Sequence, residues 1–140
     1  MEKATNLLDN IPADFPKDRP LIMTNFLRWN EQAKYPKGSS HSPCSGQEAW
    51  LQRYAKEIQR IAEGYGGLEL VYLGVGASKI VGEEEEHWDA VALVKYPKGI
   101  ETFRKTLASD DYAQTALEHR DAGLKDWKLI ASTEMQLQFD

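Results

Sequence analysis

The order of the strand-like and helix-like segments constrains the fold of this 140-residue chain most strongly. Apolar, strand-prone runs occupy residues 20–29, 68–82, 88–97 and 126–135. One amphipathic helical region lies between the first and second runs, and another lies between the third and fourth. This strand, helix, strand, strand, helix, strand order is a repeated split β-α-β unit. It predicts an α+β, ferredoxin-like fold, in which an antiparallel four-stranded sheet carries both helices on one face.

Both helical regions carry local start and stop signals. Ser45 and Glu48 have the spacing of a capping box, in which the serine oxygen accepts from the amide three residues on. An apolar stripe at spacings of three and four then follows, formed by Leu51, Tyr54, Ile58, Ile61 and Tyr65. In the second region Ser109 is a favoured N-cap residue, and Gly123 is a typical helix end. We therefore expect a helix from residue 45 and a second, restarted helix before the last strand.

The apolar pattern also predicts how the domain is delimited and assembled. The first 20 residues are polar and contain three prolines, so we expect an N-terminal arm over 1–20, a folded domain over 21–134 and a C-terminal tail over 135–140. The strands carry apolar residues on both faces, although helices cover only one. A second copy is the simplest cover for the other face, and we expect a homodimer in which the two sheets face each other.

Composition disfavours several classes of partner. The formal net charge is −5 with no basic stripe, which argues against nucleic acid. The single cysteine, Cys44, has no C-x-x-C partner, and His41 and His87 lack the helical spacing of metal ligands, so neither a metal nor another cofactor is expected. The chain has no run of about 18 apolar residues and does not begin like a signal peptide. We expect a cytoplasmic protein that does not bind membranes.

Several motifs resemble a known family. The segments "WDAVALVKYP", "SDDYAQTALEHRDAGLKDWKLI" and "SGQEAWLQRYAKEI" resemble the uncharacterised family numbered 1330 in the domain-of-unknown-function series. The similarity covers about residues 20–134, and its most specific parts are Trp88-Asp89, Tyr96-Pro97, Tyr112 and His119-Arg120. That family is similar to the dimeric α+β barrel superfamily, which includes cofactor-independent monooxygenases, muconolactone isomerase-like enzymes, polyketide cyclases, dehydratases and haem-degrading enzymes. The resemblance implies a small-molecule pocket between the sheet and its own helices, but no particular reaction.

The adjacent cations His119 and Arg120 are the first candidate site residues. They are compatible with two interpretations, which are stabilisation of a helix C-terminus and a wall of the pocket. In a pocket, His119 would transfer a proton and Arg120 would bind an anionic oxygen of the substrate. Tyr112 precedes His119 by seven residues, about two helical turns, which predicts that these two share a face. If only one of the pair reaches the pocket, we therefore expect it to be His119.

Other candidates lie on the strands and the first helix. Asn25 is polar on an otherwise apolar strand face, so it belongs either to a hydrogen-bond network or to a site. Asp89 is either a structural acceptor or a general base whose pKa is raised by burial. Tyr54, Tyr112 and Trp88 are expected to bind substrate as part of an aromatic lining.

Two functions follow as expectations. The first is a small enzyme that performs proton transfer, as an isomerase or cyclase, or cofactor-free oxygenation of a small organic acid or aromatic. The alternative is a non-catalytic dimeric module that binds a metabolite or is structural. Haem-degrading relatives use an asparagine, a tryptophan and a histidine, for which Asn25, Trp88 and His119 are the counterparts. His119 lies 31 residues after Trp88, near the far end of the second helix, so haem is not expected.

Overall fold

The computed structural model describes residues 7–139 and contains one four-stranded antiparallel sheet. Its strands are β1 (Leu21–Trp29), β2 (Glu69–Val75), β3 (Ala90–Tyr96) and β4 (Leu124–Ser132). They lie in the order β2-β3-β1-β4, and β1 pairs with both β3 and β4. The helices pack on one face of this sheet, and the predicted ferredoxin-like fold is confirmed.

Each helical region is divided into shorter helices. The first comprises α1 (Gly46–Glu48), a π-helical stretch (Ala49–Tyr54) and α2 (Ala55–Glu63). The second comprises α3 (Ile100–Ala108), α4 (Asp110–Thr115) and α5 (Leu117–Gly123). A short 3₁₀ turn, Leu7–Asn10, precedes β1. The sequence predicted the two regions and the restart at α4, but not the π-helical stretch.

The predicted helix starts are formed by side-chain caps. The amide of Glu48 donates to Oγ of Ser45 at 3.0 Å, and the amide of Tyr112 donates to Oγ of Ser109 at 3.1 Å. The Glu48 carboxylate lies 3.7 Å from Arg53. Each cap satisfies an amide that the helix itself leaves unpaired, which is why the chain turns helical at these residues.

Strands β2 and β4 end several residues before the ends that the sequence predicted. β2 ends at Val75, and the amide of Gly76 donates to the carbonyl of Asp89 at 2.7 Å before the two chains separate. The pairing of β2 with β3 is irregular between Leu70 and Tyr72. Residues 133–139 form no strand.

The two faces of the sheet differ in cover. On β1, Leu21, Met23 and Leu27 are at most 4% exposed beneath the helices. The other face, called here the open face, carries half-buried and exposed apolar side chains: Ile22, Phe26, Tyr72, Leu93 and Ile130. The period-two pattern of the strands therefore supplies apolar residues to both faces, as predicted.

The described part of the predicted N-terminal arm packs on the domain. Leu7, Ile11 and Phe15 contact a core cluster that includes Leu21 and Phe103. Residues 1–6 of the predicted arm and the last residue of the predicted tail lie outside the described residues. Within residues 7–139, none of the helices has the length and hydropathy needed to cross a membrane.

A backbone junction joins the start of α1 to the end of α5. The amide of Gly46 donates to the carbonyl of Asn30 at 3.0 Å, and the amide of Asn30 donates to the carbonyl of Gly123 at 2.9 Å. A Cβ on Gly46 would lie 2.1 Å from the carbonyl oxygen of Asn30. Only glycine fits this crossing, because the neighbouring atoms belong to the backbone.

Candidate functional site

A cavity of about 260 Å³ lies between the helices and the sheet. Its walls are mainly apolar, with Met23 and Leu129 from the sheet, Ile58 from α2, and Phe103 from α3. None of the described residues that line it is Asp, Glu, Lys, Arg or His. The polar lining groups are amides, phenols and indoles, so the cavity is suited to an uncharged molecule.

The cavity opens between the first helical region and the edge strand β2. Leu70 and Leu73 of β2 are 55% and 44% exposed, and both line the cavity. On the helical side, Gln52 and Gln59 line it and are also exposed. The mouth therefore has an apolar rim on β2 and a hydrogen-bonding rim on the helix.

Asn25 lines the cavity, but its polar atoms are engaged by the protein. Its Nδ2 donates to the carbonyl of Ala92 at 3.3 Å and lies 3.5 Å from that of Met23. Its Oδ1 accepts from Nε1 of Trp127 at 3.1 Å. Of the two interpretations from the sequence, the structure supports the network, in which Asn25 holds the Trp127 ring against the cavity.

A buried chain of hydrogen bonds runs from the cavity wall into the protein. Tyr54 lines the cavity, and its hydroxyl lies 2.8 Å from the hydroxyl of Tyr112. Nη1 of Arg120 donates to the Tyr112 hydroxyl at 3.2 Å, and the guanidinium lies 5.2 Å from the centre of the Trp127 ring. Burial, and then the neighbouring Tyr112, raise the pKa of Tyr54 well above its usual value. Tyr54 is therefore a neutral phenol that keeps its proton.

The expectation that His119 shares the face of Tyr112 is wrong, because Arg120 takes that position. The helix is broken at Ala116, whose φ of −111° separates α4 from α5. The break changes the rotation between Tyr112 and the residues two turns later. A spacing argument that assumes one continuous helix therefore selects the wrong member of the pair.

His119 lies in a different cluster, beneath the loop of residues 30–44. Its Nδ1 is 2.7 Å from the hydroxyl of Tyr35, which also accepts from Nη1 of Arg53 at 3.1 Å. The ring of His41 lies 4.4 Å away between centres. Burial, and then the nearby His41 and Arg53, lower the pKa of His119 below its usual value. His119 does not line the cavity, so the structure does not support its expected role as the acid or base there.

Asp89 and Trp88 also lie outside the cavity lining. Oδ2 of Asp89 accepts from the amide of Trp29 at 2.8 Å, and Oδ1 lies 3.0 Å from Nε2 of His87. This is the structural role considered for Asp89, rather than that of a general base in the pocket. Trp88 packs on the open face against Phe26, with 5.8 Å between ring centres and outside this cavity, and its expected role in substrate binding stays a prediction.

The structure adds residues that the sequence did not single out for the site. Trp50, Tyr96 and Trp127 line the cavity. Trp50 has a buried Nε1 with no hydrogen-bond acceptor within residues 7–139. Trp50 lies four residues before Tyr54, and that i, i+4 spacing was the one available signal that they share a face.

The described residues bring together neither a cluster of metal-binding side chains nor the three residues considered for haem. No group of three or more His, Cys, Asp or Glu within residues 7–139 is arranged to hold a metal ion. The set considered for haem does not assemble either, since Asn25 is at the cavity, Trp88 on the open face and His119 under the loop.

The fold is shared with solved structures. No protein-family model and no curated protein matches the chain. Two crystal structures of RPA0582, a protein of unknown function from Rhodopseudomonas palustris, match with a TM-score of 0.78. The methylated form is 25% identical and covers 96% of this chain and 94% of its own, and the other is 24% identical and covers 97% of each. An uncharacterised NIPSNAP domain protein from Burkholderia xenovorans matches with a TM-score of 0.44 and 10% identity.

The resemblance to family 1330 has no matching family model behind it and stays a hypothesis. What the comparisons establish is that this chain shares its fold, over nearly its whole length, with RPA0582.

Proposed function

We propose that this protein binds a small, uncharged, mainly aromatic molecule in the cavity between its sheet and its helices. The observation that carries the proposal is the cavity wall, which combines apolar and aromatic side chains with uncharged polar groups and has no carboxylate and no cation among its described residues. Ligand sites in proteins have this composition, with few polar groups on an apolar surface. A charged ligand would lose its hydration without gaining an ion pair.

The size of the cavity sets the size of the ligand. Its volume of about 260 Å³ exceeds the ~150 Å³ of an engineered apolar cavity that takes up benzene. One or two fused rings therefore fit. The mouth at Leu70 and Leu73 offers a route of entry, because both side chains are partly exposed at the sheet edge.

The residues that line the cavity support some of the expected reactions and substrates and not others. His119 and Asp89 do not line the cavity, so proton abstraction by either is not supported. No Lys, Arg or His among the described residues lines the cavity to bind an organic acid. Of the two expected substrates, an organic acid or an aromatic compound, the cavity therefore favours the aromatic compound. What the wall offers is Tyr54, a neutral hydroxyl backed by Tyr112 and Arg120. The protein's contribution would be to orient the ligand and polarise one of its oxygens, with or without turnover.

A homodimer formed through the open face belongs to the same proposal. Leu93 lies near the middle of that face on β3, beside Thr24 of β1 and Tyr72 of β2. Tyr72 is 56% exposed and Ile130 is 49% exposed, although both are large apolar or aromatic side chains. Exposed apolar surface of this kind marks association sites, and a second copy supplies a complementary one by symmetry.

Calorimetric titration with two probes tests the binding proposal. Indane is an uncharged molecule of two fused rings, and indane-2-carboxylate carries a negative charge on the same skeleton. We expect indane to bind one site per chain and the carboxylate to bind at least tenfold more weakly. Equal binding of both, or binding of neither, would contradict the proposal.

A pair of variants locates the site. Ala55 lines the cavity, and Ala55→Phe should fill it and abolish indane binding. Ala113 is exposed on α4 and does not line the cavity, so Ala113→Phe adds the same ring and should leave binding unchanged. Retained melting temperatures would show that both variants are folded. Unchanged binding to a folded Ala55→Phe variant would place the site elsewhere.

A further inference from the structure

The buried hydrogen bonds between Tyr54 and Arg120 have a defined direction. Arginine only donates, so the Tyr112 hydroxyl accepts from Arg120. The other hydrogen-bond partner of the Tyr112 hydroxyl within residues 7–139 is the Tyr54 hydroxyl, at 2.8 Å. Tyr112 is 3% exposed and does not line the cavity, so its proton needs that acceptor, whereas Tyr54 lines the cavity, where a ligand can accept from it. The chain therefore runs from Arg120 to Tyr112 to Tyr54, and the proton of Tyr54, a residue of the cavity wall, has no acceptor among residues 7–139.

A second tyrosine of the cavity wall also has a hydroxyl without a partner in the described part of the chain. Tyr96 lines the cavity, is 2% exposed, and its hydroxyl has no hydrogen-bond partner among residues 7–139. Burial, and then the neighbouring Tyr112, raise the pKa of Tyr96. The two phenols at this wall, Tyr54 and Tyr96, thus both keep their protons near neutral pH.

Apart from the Tyr96 oxygen, the acceptors of the same wall are already used. Oδ1 of Asn25 accepts from Trp127, and the Tyr54 oxygen accepts from Tyr112. The side-chain carbonyls of Gln52 and Gln59 lie at the exposed mouth, where water reaches them. The interior of the cavity therefore has an excess of donors over acceptors, and a ligand that fits it brings acceptors and no charge.

We infer that the ligand is an uncharged aromatic carbonyl compound, a ketone or a quinone, whose oxygen accepts a hydrogen bond from Tyr54. This inference rests on the proposed binding function and names its ligand class. The Arg120 cation at the other end of the chain strengthens the Tyr54 hydroxyl as a donor, because hydrogen bonds in series polarise one another. The arrangement orients the carbonyl oxygen toward the wall formed by the first helical region, with the ring on the apolar sheet.

Titration of two matched probes into three forms of the protein tests this ligand class. The probes are 1-indanone and indane, which differ in one carbonyl group. The proteins are the wild type, Tyr54→Phe and Tyr65→Phe, where Tyr65 is 41% exposed and does not line the cavity. The measured quantity is the Kd of indane divided by that of 1-indanone, so that effects common to both probes cancel.

We expect this ratio to fall about tenfold from the wild type to Tyr54→Phe, the usual scale of one hydrogen bond. It should be unchanged in Tyr65→Phe. The infrared carbonyl stretch of bound 1-indanone should also lie at lower frequency in the wild type than in Tyr54→Phe. If both probes bind but the ratio and the stretch are the same in the two proteins, the ligand class is wrong while the binding proposal stands. If neither probe binds the wild type, the binding proposal fails and takes this inference with it.

Discussion

Gly46→Ala should destabilise the protein because the added methyl group has no space at the junction of α1 and α5. The new Cβ would lie 2.1 Å from the carbonyl oxygen of Asn30 and 2.6 Å from that of Gly123. Both oxygens belong to the backbone and take part in the junction, where they accept from the amides of Gly46 and Asn30. Relief of the clash therefore requires the two chain segments to move apart and lengthens these hydrogen bonds.

The size of the effect follows from two opposing terms. Overpacking in a filled core costs about 1–3 kcal/mol, and a clash with backbone belongs at the upper end. Alanine is favoured over glycine in a helix by up to about 1 kcal/mol, which offsets part of the cost. We expect a net loss of about 2 kcal/mol in the free energy of unfolding. For a chain of this length that loss lowers the melting temperature by about 6–10 °C.

Urea unfolding monitored by tryptophan fluorescence measures this loss, and Gly64→Ala is the matched control. Gly64 ends α2 with φ of −73°, and a Cβ there would meet the carbonyl oxygen of Ile61 at 3.5 Å, an ordinary contact. Gly64→Ala should be neutral or up to about 1 kcal/mol stabilising. Equal unfolding midpoints for the two variants would refute the reasoning about the junction.

Two further predictions concern His119 and the open face. Folding lowers the pKa of His119 from its ordinary value of 6.5, so the unfolded chain binds the proton more readily than the folded chain. The contribution of His119 to the free energy of unfolding is therefore complete above pH ~6.5 and is lost as the pH falls below that value. The urea concentration at the unfolding midpoint should therefore drop between pH 7.5 and 5.5 more steeply in the wild type than in His119→Gln. The same pH dependence in both proteins would contradict a lowered pKa of His119. Leu93→Arg puts a charge in the middle of the open face and should convert a dimer to a monomer in size-exclusion chromatography with light scattering, whereas Lys56→Arg, at an exposed position on α2, should not. A wild-type monomer would contradict the dimer proposal.

Local sequence signals were sufficient for most of the fold. The serine at position 45 and the one at position 109 each supply a side-chain acceptor for the first turn of a helix, and both caps form. The alternation along β1 places Leu21, Met23 and Leu27 on one face, as the period of two requires. These features depend on neighbours within about four residues, so one sequence contains the information they need.

The candidate site depended on contacts between distant segments, and the sequence predicted it less well. The break at Ala116 changed which of His119 and Arg120 points at Tyr112. Tyr35 reaches His119 across 84 residues, through a loop whose path no local pattern specifies. The spacing of seven residues therefore selected His119, whereas Arg120 contacts Tyr112, and neither member of the pair lines the cavity.

Trp88 illustrates the same limit on a strand. Its even spacing from Ala90 and Ala92, both buried beneath the helices, favours the helix face. The regular strand begins only at Ala90, so the alternation does not extend back to Trp88. Its ring packs instead against Phe26 on the open face, and Nε1 donates to Glu86 at 2.7 Å.

A crystal structure of the wild type saturated with 1-indanone tests most directly whether this cavity is a ligand site. We expect one probe molecule between α2 and the sheet, with its ring near Leu129 and its oxygen within hydrogen-bonding distance of the Tyr54 hydroxyl. A saturated crystal whose cavity contains no probe, with the probe bound at another surface, would contradict it.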